Sequence, residues 1–77
     1  MKFINESELY KTIGQNIKFQ REDASLTQQQ LAEKAQISLS YLSKIEALGC
    51  EKSLSISVLN QIANALDVEI SEFFIRR

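Results

Sequence analysis

Residues 27–46 read TQQQLAEKAQISLSYLSKIE, and this stretch decides the fold of the chain. Thr27 and Gln30 have the T-x-x-Q spacing of a capping box, which predicts that a helix begins at Thr27. The apolar side of this helix consists of Leu31, Ala32 and Ala35. The first half of the stretch is therefore predicted to be a short amphipathic helix.

The second half of the stretch predicts another short helix. Ser38 can act as its N-cap after residues 35–37 interrupt the first pattern. Its inner side carries Leu42 and Ile45, extended by Tyr41 or Leu39. Two short helices joined by a tight turn form the helix-turn-helix pattern. From spacing alone, DNA binding and plain bundle packing both remain open, because any small helical bundle contains short helix pairs.

The segments on either side of this pair are also predicted to be helical. A first helix has Leu9, Ile13 and Ile17 four residues apart, with Ser7 as a possible N-cap, and runs to about Asp23. Residues 47–54 are predicted to form a loop, after which Ser55 can cap a fourth helix. The apolar face of that helix comprises Leu59, Ile62, Ala63 and Leu66.

A last apolar cluster has the spacing of one more short helix and consists of Val68, Ile70, Phe73, Phe74 and Ile75. This cluster either closes the core of the monomer or packs against a second copy of the chain. Alternating strand patterns are absent from the sequence. The sequence thus predicts an all-α, compact five-helix bundle that forms one domain over residues 1–77, with the last two helices at about 55–75.

The composition argues against an enzyme. The chain has 77 residues with one cysteine and no histidine, which excludes an internal disulfide, histidine-based triads and the common zinc sites. No glycine-rich loop is present to hold a phosphate. We therefore expect no catalytic activity, no metal and no cofactor.

The apolar segments are too short for a membrane. No apolar run approaches the roughly 20 residues of a membrane span, and the first residues lack the apolar stretch of a signal peptide. These features favour a cytoplasmic protein without a membrane partner. In that location Cys50 is either an incidental reduced thiol or a redox site.

The net charge of −1 first suggests that nucleic acid is not the ligand, because DNA-binding domains usually carry a basic excess. Counting by segment changes this interpretation. Residues 1–54 hold seven basic and seven acidic side chains, so the negative charge comes from Asp67, Glu69 and Glu72 against Arg76 and Arg77. The segment that contains the helix pair is neutral, which is compatible with DNA but predicts weak non-specific binding.

Two opposite charges lie on apolar stripes. Arg21 continues the stripe of Ile13 and Ile17, and Glu46 lies four residues after Leu42. An unpaired buried charge is costly, so the two side chains are predicted to face each other. The alternative is that both reach solvent from the ends of their helices.

Several segments together resemble the helix-turn-helix domain of the Cro and phage-repressor type, the XRE family. They are IGQNIKFQR (13–21), LTQQQLAEKA (26–35), ISLSYLSKIE (37–46), LNQIANALDV (59–68) and EFF (72–74). A weaker likeness connects the chain with the small controller proteins of restriction–modification systems. The resemblance implies a lambda-repressor-like DNA-binding domain in which the helix from Ser38 is the recognition helix.

The resemblance also implies roles for individual residues. Base edges would be read by Leu39, Ser40 and Lys44, with Leu39 packing on a thymine methyl group. Phosphates would be held by Thr27, Gln28, Gln29, Tyr41, Ser43 and Lys52, helped by the N-terminal dipole of the helix from Thr27. Arg21 and Glu46 would form a structural ion pair. The dimer interface would comprise Val68, Ile70, Phe73 and Phe74.

The function implied is that of a homodimeric transcriptional regulator that binds a two-fold operator in double-stranded DNA. The alternative is an antitoxin-type or adaptor protein that uses the same fold to bind a protein partner, such as a toxin or RNA polymerase. Two departures from the family pattern bear on the fold. Gln36 occupies a turn position where glycine is common, and Gln20 replaces an aliphatic core residue, so either Phe19 is recruited to the core or the core is looser.

Overall fold

The computed structural model describes residues 2–48 and 54–77. The described residues form α1 (Glu6–Asp23), α2 (Gln28–Ala35), α3 (Leu39–Leu48) and α4 (Ile56–Leu66), followed by a 3-10 helix (Ile70–Phe74). Within these ranges no strand occurs, so the predicted all-α fold is confirmed. The predicted count of five helices is slightly wrong, because the last element is one short 3-10 helix rather than an α-helix.

Three of the four predicted N-caps are present. The Thr27 hydroxyl accepts from the Gln30 N–H while the Gln30 side chain accepts from the Thr27 N–H, which completes the predicted capping box. Ser38 accepts from the Tyr41 N–H at 3.0 Å, and Ser55 accepts from the Val58 N–H at 3.1 Å. Each cap fixes a helix start from residues only three apart.

The N-cap predicted for α1 is wrong. Asn5, not Ser7, occupies this position, and its side-chain oxygen accepts from the Glu8 N–H at 2.9 Å. Both residue types are good caps. The earlier start also places Glu6 and Glu8 in the first turn, where acidic groups interact favourably with the helix dipole.

The core lies where the stripes of all elements meet. It contains most of the predicted inner residues of the helices together with Phe73, whereas Leu9 of the predicted α1 stripe is only half-buried against it. The buried residues are Ile13, Ile17, Leu31, Ala32, Ala35, Leu42, Ile45, Leu59, Ile62, Ala63, Leu66 and Phe73. Phe19 is not recruited, since 46% of it is exposed. Gln20 instead reaches Glu72 with its side-chain amide at 3.4 Å. The position next to the aliphatic stripe of α1 is therefore filled by a polar contact to the C-terminal 3-10 helix.

Helix α3 is longer than predicted. α3 extends through Leu48, so residues 47 and 48, predicted as loop, are helical. Cys50 and Lys52 lie outside the described residues. In the described part of the chain, no helix is both long and apolar enough to cross a membrane.

Candidate nucleic-acid interface

The N-terminal turn of α3 is exposed. Leu39, Ser40 and Lys44 all lie at the surface, and Leu39 has 44% of its area accessible. On the opposite side of the same helix Leu42 and Ile45 are fully buried, which fixes which face α3 turns outward. The three residues predicted to read bases are thus all accessible, with Leu39 and Ser40 in the first turn of α3 and Lys44 in its second turn.

The N-terminal turn of α2 supplies a second accessible group of atoms. Thr27 and Gln29 are exposed, and the capping box orders the first turn without covering it. The N–H groups of Gln28 and Gln29 belong to the first turn, whose donors have no partner within a helix. This end of α2 therefore carries the partial positive charge of the helix dipole at the surface.

The turn between α2 and α3 depends on a left-handed residue. Gln36 has φ 60° and ψ 43°, in the region that glycine enters without strain. Its N–H donates to the Glu33 carbonyl at 3.2 Å and the Ile37 N–H donates to the Ala32 carbonyl at 3.0 Å. These two hydrogen bonds close the end of α2 and offset the cost of a non-glycine residue there.

A buried ion pair connects α1 to the end of α3. Arg21 Nε donates to Glu46 Oε2 at 2.8 Å and Arg21 Nη2 donates to Glu46 Oε1 at 3.0 Å, a two-point contact between planar groups. The Glu46 side chain is 2% exposed and that of Arg21 is 11% exposed. Arg21 Nη1 also donates to the Leu26 carbonyl at 2.7 Å, and the hydrogen bond to Glu46 raises the pKa of Arg21. The guanidinium therefore stays charged and joins α1, the α1–α2 turn and α3.

Gln28 and Ser43 do not stand free at this surface. The Ser43 hydroxyl donates to Gln28 Oε1 at 2.9 Å, and Gln28 Nε2 donates to Glu46 Oε1 at 3.1 Å. Both residues are half-buried, as is Tyr41. The side chains of Gln28 and Ser43, which the resemblance assigns to phosphate contacts, are therefore already engaged in hydrogen bonds inside the protein. Lys52 lies outside the described residues.

The helix-turn-helix family model HTH_3 matches residues 17–73, which include α2, α3 and α4 in full. The chain belongs to the helix-turn-helix family. The predicted resemblance to the XRE-type helix-turn-helix proteins is thereby confirmed. The match begins within α1 and ends within the 3-10 helix, so it covers most of the described fold.

Individual relatives of this helix-turn-helix protein are regulators. It is 48% identical over 60 residues to the immunity repressor protein of Bacillus phage phi105, a match that covers 78% of this chain and 40% of the repressor. The chain thus spans about two fifths of the length of that relative.

Two solved structures of regulators share the fold of this helix-turn-helix protein. The restriction-modification controller protein C.AhdI from Aeromonas hydrophila is similar with a TM-score of 0.77 and 28% identity, over 84% of this chain and 96% of the controller. The clp gene regulator ClgR from C. glutamicum has a TM-score of 0.75 and 28% identity, over 84% and 82%. The predicted likeness to controller proteins is confirmed, and none of these relatives is named as an enzyme.

Phe73, which was predicted to lie in a dimer interface of the helix-turn-helix protein, lies in the core of the monomer. Phe73 is 0% exposed and belongs to the monomer core, so a second copy of the chain cannot reach it and its assignment to a dimer interface is wrong. Val68, Ile70 and Phe74 are half-buried and keep accessible area next to that core. The last apolar cluster therefore both closes the core and leaves an apolar surface.

Asn16 is a structural residue that the sequence analysis missed. It is buried, and its Nδ2 donates to the carbonyls of Phe73, at 2.9 Å, and Ile75. Its Oδ1 accepts from Arg77 Nε at 3.0 Å. The available signal was its place between Ile13 and Ile17 on the apolar side of α1, where a polar residue requires a partner.

The terminal arginines are paired rather than simply solvated. Arg76 contacts the Glu8 carboxylate and lies 4.8 Å from the centre of the Phe3 ring. Arg77 lies 4.2 Å from the centre of the Phe19 ring and 3.4 Å from the Glu72 carboxylate. Both side chains hold the C-terminal segment against α1 and the residues before it, on a different part of the surface from the head of α3.

Proposed function

We propose that this chain is a sequence-specific DNA-binding transcriptional regulator. The observation that carries the proposal is the pair of exposed helix ends, α2 and α3, on a chain that belongs to the helix-turn-helix family. In this function α3 lies in the major groove and the N-terminal turn of α2 lies against the sugar–phosphate backbone. The Arg21–Glu46 pair and the buried face of α3 supply the rigidity that base recognition needs.

The base-reading residues of this proposal are Leu39, Ser40 and Lys44. Lys44 donates to the O6 and N7 acceptors of guanine, Ser40 serves several base edges, and Leu39 packs on a thymine methyl group. Thr27, Gln29 and the first N–H groups of α2 hold a phosphate by hydrogen bonds and helix polarity. The mechanism requires no cofactor, since occupancy of the operator is itself the regulatory event.

We further propose that the protein acts as a homodimer on a two-fold operator. The accessible apolar surface formed by Val68, Ile70 and Phe74 is the interface in this proposal. A dimer places two copies of α3 on half-sites about one helical turn apart. Because residues 1–54 are neutral, each copy obtains little from long-range attraction to DNA, and two linked copies compensate for this.

Selection of bound duplexes from a random pool tests the proposal. We expect a palindromic consensus whose affinity falls with salt, although less steeply than that of a basic domain, because residues 1–54 carry no net charge. Repeating the selection at two salt concentrations separates the phosphate contribution from base recognition. Recovery of random sequences at both salt concentrations would contradict sequence-specific recognition.

Leu39 yields a prediction about the methyl group of thymine. Replacing the contacted thymine with deoxyuridine removes only that methyl and is expected to lower affinity about fourfold per half-site, from the burial of one CH₂-sized group. The Leu39→Ala variant should bind both duplexes equally in a fluorescence anisotropy titration. Ile56→Ala is the matched control, because Ile56 is also an exposed first residue of a helix, with 70% of its area accessible. Equal wild-type affinity for the two duplexes contradicts the assignment.

Phe74 yields a prediction about assembly. Phe74→Ala removes apolar area from the proposed interface, so the dimer should already dissociate at a higher protein concentration than the wild type. The mass measured by light scattering should then fall toward that of the monomer. Ile4→Ala, at a highly exposed apolar residue outside this surface, should leave the mass unchanged. A folded Phe74→Ala variant with wild-type mass at every concentration would place the interface elsewhere.

A further inference from the structure

A series of hydrogen bonds connects α3 with α2 and α1. It runs from the Ser43 hydroxyl on α3 to Gln28 on α2, and from Gln28 to the Glu46 carboxylate, which also receives Arg21 from α1. The donor–acceptor distances along it are 2.9, 3.1 and 2.8 Å. Glu46 is buried, and Arg21, Gln28 and Ser43 are half-buried.

The amide of Gln28 has a defined orientation in this series of hydrogen bonds. Its oxygen accepts from the Ser43 hydroxyl and its nitrogen donates to Glu46, so turning the amide over would place two acceptors together at Glu46. A phosphate is also an acceptor and cannot pair with the amide oxygen. The amide nitrogen has a second N–H, but a Gln28 side chain that moved away to bind a phosphate would give up both contacts and leave a buried carboxylate with fewer donors.

The Ser43–Gln28 contact lies next to the proposed base-reading residues of α3. Ser43 lies four residues after Leu39 and directly before Lys44, so it shares a helix face with one proposed reader and adjoins the other. Leu42 and Ile45 fix α3 from the core side. The Ser43–Gln28 contact fixes the same helix from the flank that faces α2, and so limits rotation of α3 about its own axis.

We infer that Gln28 is a positioning residue for base recognition and that its side chain is not a phosphate ligand. Through Ser43 and Glu46 it sets the angle at which α3 presents Leu39 and Lys44, whereas the phosphate at α2 is held by backbone N–H groups and the exposed residues. This inference rests on the proposed DNA-binding function. It differs from the role that the family resemblance implies for Gln28.

The two roles of Gln28 predict different binding data. Loss of a neutral phosphate ligand weakens binding to the operator and to a scrambled duplex alike, so the ratio of the two affinities stays unchanged. Loss of a positioning contact lowers the affinity for the operator more than that for a scrambled duplex, so this ratio falls. Each outcome is measured from the same titrations of the two duplexes over a range of salt concentrations.

The experiment compares Gln28→Ala, Ser43→Ala and the double variant, using the selected consensus and a scrambled duplex of the same composition. Each single variant should reduce the ratio of the two affinities roughly three- to tenfold, the value of one lost hydrogen bond. The double variant should lose no more than Gln28→Ala alone, because the Ser43–Gln28 contact is already absent from that variant. Ser43→Thr retains the hydroxyl and should retain the ratio.

Gln29→Ala is the matched control, since Gln29 is the adjacent glutamine and is exposed. Its affinity ratio should equal that of the wild type. The inference is overturned if Gln28→Ala weakens both duplexes equally, or if the losses of the two single variants multiply in the double variant. Wild-type protein that does not distinguish the two duplexes would overturn the proposed function and this inference with it, whereas an unchanged ratio in Gln28→Ala overturns the inference only.

Discussion

Phe73→Ala is expected to lower the free energy of unfolding by about 3–5 kcal/mol, the range for truncating a fully buried aromatic residue. Phe73 has no exposed area and packs in the same core as Ile17 and Ile62. Domains are stable by only about 0.05–0.15 kcal/mol per residue, or roughly 4–12 kcal/mol for a chain of this size. Removing this one ring should therefore cancel a large part of that stability, and nearly all of it at the lower limit.

Urea denaturation followed by circular dichroism measures this effect. Phe74→Ala is the control, because Phe74 is the neighbouring phenylalanine but is only half-buried, and its loss in stability should be clearly smaller. Both variants should be compared at a concentration at which each is monomeric, since association raises apparent stability. Similar losses for the two variants would contradict the distinction between the core residue and the surface residue.

Glu46→Ala should also be strongly destabilising, by about 3–5 kcal/mol, because it leaves the Arg21 charge largely buried without its counter-ion. Three hydrogen bonds to the carboxylate are lost at once, two from Arg21 and one from Gln28. Thermal and urea unfolding of the variant measure the loss.

A double variant separates the ion pair from its individual charges. Arg21→Met with Glu46→Leu removes both charges and keeps apolar volume, so its loss in stability should be smaller than the sum of the two single losses. Some loss should remain, because the Leu26 carbonyl no longer receives the Arg21 hydrogen bond. Strict additivity of the single losses would show that the two side chains do not act as a pair.

The starts of α2, α3 and α4 were predictable because a cap side chain and the N–H that donates to it lie three residues apart. Thr27, Ser38 and Ser55 all cap as the spacing indicates. The same local information did not choose between Asn5 and Ser7 for α1, since both residue types are good caps. The apolar faces followed equally well from the helical period, and the resemblance to the family located the exposed ends of α2 and α3.

The C-terminal apolar cluster shows what helical periodicity alone does not predict. Its apolar spacing permitted a fifth α-helix and a dimer surface, but the carbonyls of Phe73 and Ile75 pair with Asn16, which lies 57 and 59 residues away. No pattern within the cluster indicates that partner. The short 3-10 helix and the burial of Phe73 follow from contacts with α1.

The sequence by itself determined the α-helices from Thr27 onward, their caps and buried faces, and the family to which the chain belongs. These properties depend on hydrogen bonds and side-chain periods that span three or four residues. Tertiary structure decided the assignment of Phe73 to the core, the pairing of the terminal arginines, and the engagement of Gln28 with Ser43 and Glu46. The contact of Gln28 with Ser43 spans 15 positions and that of Arg76 with Glu8 spans 68, so they exist only once the helices have packed against one another.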